Sequence, residues 1–99
     1  MSEACVNLLP DLLASLKVDL GITTTRYDER LRQYLLSAIS FIEEEGAVLD
    51  SASIKDQQLI VMYAEWMWRR RDSGEGMPRM LRYALNNKIF AGKMGESNG

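Results

Sequence analysis

From Leu59 to Trp68 nine of ten positions are apolar, and only Glu65 interrupts them. The run extends into a stretch from Ile54 to Asp72, IKDQQLIVMYAEWMWRRRD, read as the central helix of the molecule. A helix apolar around most of its circumference cannot lie on a surface with one stripe inward, so other elements must cover it from several sides. It is not a membrane span, because crossing a bilayer takes about 20 apolar residues and this run is bounded by Lys55, Asp56 and Arg69 to Arg71.

The flanking patterns supply the covering helices. Leu9, Leu12, Leu13, Leu16 and Leu20 recur at three- and four-residue spacing, the signature of one apolar helical stripe. Pro10 suits the first helical turn, Asp11 the positive end of the helix dipole, and Gly21 the left-handed residue that closes it. A longer helix follows, with Leu31, Leu35, Ala38 and Ile42 as its main stripe, widened by Tyr34, Ile39 and Phe41, and ending at Glu43 to Gly46. Thr25 with Asp28 three residues on reads as its capping pair, and Ser53 with Asp56 as that of the central helix. The link between the two long helices, AVLDSAS, is short, which predicts an antiparallel hairpin. After the Gly-rich break SGEGMP, Pro78 opens a shorter last helix, PRMLRYALNNK, with Met80, Leu81, Ala84 and Leu85 on its apolar side.

The expected fold is therefore all-α: a small bundle of a short N-terminal helix, two long antiparallel helices and a shorter C-terminal helix. Residues 1–8 read as a flexible N-terminus, residues 9–90 as a single helical domain, and residues 91–99 as a disordered tail of small and polar residues.

Composition narrows the function classes. At 99 residues, one small core is expected, and burial against other subunits is a natural supplement. The formal net charge of -2 excludes a generally basic nucleic-acid binder. Charge is unevenly placed, however: residues 1–50 carry four Lys/Arg against nine Asp/Glu, and residues 51–99 carry eight against five. Head-to-tail association, acidic half against a neighbour's basic half, is one reading of this asymmetry, and chance in a short chain is the other. Cys5 is the only cysteine, so no intramolecular disulfide forms and a reducing intracellular setting is expected. The N-terminus lacks the basic start and apolar run of a secretory signal. Histidine is absent, which removes the usual general base and the usual zinc ligand. Neither an enzyme nor a bound cofactor or metal is expected.

Three constellations remain. Glu43 to Glu45 occupy consecutive helical positions about 100° apart and do not converge on a common point. Glu65 stands inside the apolar run with Arg69 four residues on, the favourable order for a structural ion pair. Arg69, Arg70 and Arg71, with Arg79 and Arg82 across the Gly-rich turn and Trp66 and Trp68 beside them, form the one basic concentration. These types typify interface hot spots; a helix C-terminus that welcomes cations is the equal reading, and phosphate contact stands behind both. Trp68, Arg69, Arg70, Arg71, Arg79 and Arg82 are accordingly the candidate self-association or partner interface.

The order of segments, LLPDLLASLKVDLGI, DERLRQYLLSAISFIEE, LIVMYAEWMWRRRD and MPRMLRYAL, resembles the small head-tail connector, or head-completion adaptor, proteins of tailed bacteriophages and prophages. The resemblance covers about Leu9 to Leu85. It implies an all-helical structural subunit, made in the bacterial host cytoplasm and placed in the virion neck. There a ring of about a dozen copies would sit beneath the portal and extend the channel through which DNA passes without sequence-specific recognition. The implied partners are the portal protein and a downstream neck or tail-completion protein, with no membrane involved. The resemblance also assigns portal docking to the C-terminal segment, with Met80, Ile89, Phe90 and Met94. The alternative is a small helical nucleic-acid-binding adaptor, a packaging or regulatory factor, using its arginines on phosphates.

Overall fold

The structure is a computed structural model; it describes the backbone of residues 3–97 and the side chains of residues 4–91. Among the described residues five helices follow one another: α1 (Glu3–Asn7), α2 (Leu9–Leu20), α3 (Asp28–Glu44), α4 (Ile54–Ser73) and α5 (Arg79–Ser97). The fold is all-helical, and no strand occurs among the described residues. No described helix is long and apolar enough to cross a membrane.

α4 is the centre, with α2, α3 and α5 all packed on it. Leu59, Ile60, Val61, Tyr63, Ala64 and Met67 are buried there. They meet Leu12, Leu13 and Leu16 of α2, Leu31, Leu35, Ala38, Ile39 and Ile42 of α3, and Leu81 and Leu85 of α5 in one core. α3 and α4 run antiparallel, since Phe41 stacks on Tyr63 while Tyr34 meets Trp68 edge-on. The covering is not complete. Ile54 and Gln58 are exposed and Met62, Glu65 and Trp66 half-buried, so one strip of α4 stays open to solvent.

Local chemistry sets the boundaries. Pro10 stands in the first turn of α2, and Gly21 closes that helix at φ 70°, a left-handed conformation that a side chain would strain. Ser53 caps α4, its Oγ accepting from the Asp56 N–H at 3.3 Å. The carboxylate of Asp56 does not reach back to Ser53. It accepts instead from the Asp50 N–H at 2.7 Å and from Lys88 Nζ at 2.9 Å, which ties the 47–53 link and α5 to the start of α4.

Several expectations are corrected. Residues 3–7 are a helix, and Cys5 is only 1% exposed, so the segment expected to be flexible contributes to the core; Met1 and Ser2 lie outside the described residues. Thr25 does not cap α3 with its side chain: Tyr27 is the N-cap, without a side-chain hydrogen bond. Asp28 becomes the first helical residue, where its charge suits the dipole, and pairs with Lys17 at 2.8 Å, fastening the end of α2 to the start of α3. The last helix has 19 residues against 17 in α3. It is thus not the shorter element expected, and its backbone stays helical through positions 91–97 of the anticipated tail; Asn98 and Gly99 lie outside the described residues. Met80 does not join Leu81, Ala84 and Leu85 on the inner face but is 76% exposed.

Candidate interaction surfaces

The first surface lies where the start of α3 meets the end of α4. The guanidinium of Arg71 sits 3.5 Å from the centre of the Trp68 ring, and its Nη1 donates to the Trp68 carbonyl at 2.6 Å. Arg70 covers Trp66 at 4.7 Å. Tyr27 meets Trp68 edge-on with ring centres 5.4 Å apart, and Arg26 lies 5.8 Å from the Tyr27 ring. Arg26, Tyr27, Glu29, Arg30, Gln33, Trp68 and Arg71 surround a concavity of about 470 Å³. Glu29 is engaged by Arg32 at 3.5 Å, and no described carboxylate pairs with Arg26 or Arg30.

Of the six sequence-predicted interface residues, Trp68, Arg70 and Arg71 belong to this end of the bundle. Arg69 is held by Glu65 at 2.7 Å, the structural ion pair their spacing implies. Arg79 and Arg82 line a separate hollow with Met77, Tyr83 and Asn86, and Arg82 is bound to Glu45 at 3.1 Å. Arg26, Tyr27 and Arg30 were missed by sequence reasoning. Their signal was the antiparallel hairpin itself, which brings TRYDER beside WRRRD.

Trp66 is half-buried rather than sealed in the core. Its indole N–H donates to the Glu75 carbonyl at 3.3 Å and so draws the 74–78 connection back onto α4, which Gly74 has ended at φ 66°. Beside it Tyr63 is buried, and its hydroxyl pKa is raised, first by desolvation and then by the negative charge of Glu45, against the opposing pull of Arg82 and Arg70.

The second surface is the outer face of α5. Met80, Tyr83, Asn87 and Phe90 are all exposed and recur at three- and four-residue intervals, so they share one face. The opposite face carries the buried Leu81 and Leu85. α5 thus has two apolar stripes, one used and one free. Among the segment that the resemblance assigns to portal docking, Met80 and Phe90 belong to the free stripe, at 76% and 64% exposure. Ile89 instead packs against the core, and the side chain of Met94 lies outside the described residues.

The third surface is a groove of about 430 Å³ between α2 and α4. Leu12, Ile54, Val61 and Met62 give it apolar walls, Asp11 and Asp19 stand on its rim, and no Lys or Arg lines it. Among the described residues, no group of three His, Cys, Asp or Glu is placed to hold a metal ion. Comparison of the chain with protein-family models, with curated proteins and with solved structures finds no match in any of the three.

Proposed function

We propose that the chain is a structural head-tail connector subunit of a tailed phage or prophage, assembling as a ring beneath the portal and extending the DNA channel toward the tail. The observation that carries the reading is the second apolar stripe of α5. A helix that has already buried Leu81 and Leu85 presents Met80, Tyr83 and Phe90 to solvent. An exposed apolar stripe of this kind is what a protein docking surface presents. The resemblance in segment order supplies the partners: copies of itself, the portal, and a downstream neck or tail-completion protein. In this role the molecule works as a joint, without catalysis or cofactor, made in the host cytoplasm and carried in the virion neck.

The test is mass in solution by light scattering after size exclusion, alone and with the purified portal protein. A closed assembly of about a dozen subunits, alone or on the portal, is the expected result. A chain that is monomeric alone and does not bind the portal refutes it.

A second reading, a nucleic-acid-binding adaptor, is favoured by the concavity of Arg26, Arg30 and Arg71 around Tyr27 and Trp68. Guanidinium groups and aromatic faces together suit phosphates and unstacked bases. Its mark is DNA affinity that falls steeply with salt.

A further inference from the structure

Within the connector reading, on which this inference rests, the surfaces of the chain differ in kind and match in pairs. The groove between α2 and α4 is walled by Leu12, Ile54, Val61 and Met62 together with Ser15, Gln57 and Gln58, and carries carboxylates without cations at its rim. The outer face of α5 presents Met80, Tyr83 and Phe90 with the polar Asn87 among them and Arg79 at its start, while Arg82 and Lys88 of the same helix are engaged by Glu45 and Asp56. One is a concave acidic-rimmed slot; the other is a convex ridge of helix width with the Arg79 cation at one end. They lie on different helices of one molecule, so they cannot satisfy each other within it: the inner face of α5 is already committed to α4 through Leu81, Leu85 and the Lys88 to Asp56 contact.

We infer that the α5 ridge of one subunit, Met80, Tyr83 and Phe90, seats in the α2/α4 groove of a second copy, with Arg79 approaching the rim carboxylates Asp11 and Asp19. Two unlike surfaces make this contact heterologous, the kind that propagates from subunit to subunit and closes into a ring when the rotation permits. Opposite charge on the two rims fixes the direction of docking and disfavours ridge against ridge, where cation would meet cation. The open strip of α4, with exposed Ile54 and half-buried Met62, is what the neighbour covers. The resemblance assigns the same ridge to the portal; the charge pattern favours a second copy, and portal capture becomes an outcome that the experiment separates.

Two variants of the full chain test the contact. Tyr83→Glu with Phe90→Glu spoils the ridge at two exposed positions. Ser15→Trp with Asp19→Lys plugs the groove and reverses its rim, again at exposed positions. Helical circular dichroism verifies that each folds. Light scattering then reads the mass of wild type, of each variant and of their equimolar mixture, up to about 1 mM, where even a weak single contact is populated. The expected result is assembly of wild type, the 11.3 kDa monomer mass for each variant alone, and a mixture that stops at twice that mass. The mixture retains one intact ridge and one intact groove and nothing with which to continue. Three results overturn the inference: wild type that stays monomeric, a variant that assembles as wild type does, or a mixture that remains monomeric. Assembly persisting in both variants rejects this interface while leaving the ring. A monomeric wild type that binds the portal through the ridge rejects the second copy as occupant and keeps the connector reading.

Discussion

Removing the ammonium of Lys88 tests how α5 is held. Its Nζ lies 2.9 Å from Asp56 Oδ2, and the Asp56 side chain is 7% exposed while that of Lys88 is 28% exposed. Lys88→Met keeps the length and apolar stem of the side chain and leaves the carboxylate with the Asp50 N–H as its remaining close donor. Breaking a fully buried pair by removing one partner costs about 3–5 kcal/mol. Here water reaches the lysine and screens the pair, so the expected loss falls to about 1–3 kcal/mol. For a domain of this size that lowers the melting midpoint by about 4–24 °C. Asp56→Asn, which keeps an acceptor for Asp50 and leaves a lysine that turns to solvent, loses less. The assay is thermal and urea unfolding by circular dichroism of both single variants and the double variant. A coupling energy above about 0.5 kcal/mol identifies a direct interaction. A Lys88→Met midpoint within about 2 °C of wild type, with no coupling, refutes the argument that this contact fastens α5.

Leu35→Ala, at a fully buried position of α3, is expected to destabilise by about 2–5 kcal/mol in urea unfolding, and a loss below about 1 kcal/mol would require a site that collapses around the cavity. Trp66→Ala, at a half-buried ring carrying one hydrogen bond and the Arg70 stack, loses about 1–3 kcal/mol, less than a sealed tryptophan; an unchanged midpoint counts against its part in the fold. The raised pKa of Tyr63 means that the fold retains its phenol proton where the unfolded chain releases it. Its contribution is therefore intact below the unfolded value near 10 and declines as pH rises past it toward the folded value. The stability difference between wild type and Tyr63→Phe should shrink from about pH 9 to pH 11 in denaturant titrations, and a constant difference contradicts the assignment.

The helices were legible because burial writes itself into spacing: Leu31, Leu35, Ala38 and Ile42 repeat with the helical turn, and all four are fully buried. Pro10, Gly21 and Ser53 mark their boundaries by backbone chemistry that needs no partner. What failed depended on partners. Cys5 reads as a loose terminal residue until the core closes over it. Asp28 reads as a cap until the fold places Lys17 beside it. Met80 and Leu81 are equally apolar neighbours, and only the rotation of α5 against α4 decides that one is exposed and the other buried. The interface arginines divide for the same reason. Arg69 to Arg71 and Arg79 are close in sequence, yet the turn after Gly74 carries Arg79 to a different hollow, while Arg26 and Arg30 arrive from the other long helix.

That rearrangement changes what the charge asymmetry of the sequence means. Arg82 binds Glu45 at 3.1 Å and Lys88 binds Asp56 at 2.9 Å, so two cations of the basic half are engaged inside the molecule. What remains is sorted by surface instead of by half. Arg26 and Arg30 from the acidic half gather with Arg71 from the basic half around Tyr27 and Trp68, while Asp11 and Asp19 face the α2/α4 groove. Reversal of Arg70 and Arg71 to Glu therefore separates the two functional readings. The exchange places one anion, at position 71, in the concavity of Arg26 and Arg30 and a second, at position 70, over Trp66 next to it, so any salt-sensitive DNA retention by that end should collapse. The ridge and groove contain neither residue, and assembly through them should persist in light scattering at unchanged concentration. If assembly is lost while the fold remains, the arginine and tryptophan end is itself a subunit contact. The docking geometry would then have to place Trp68, and not the α5 ridge, at the centre of the interface.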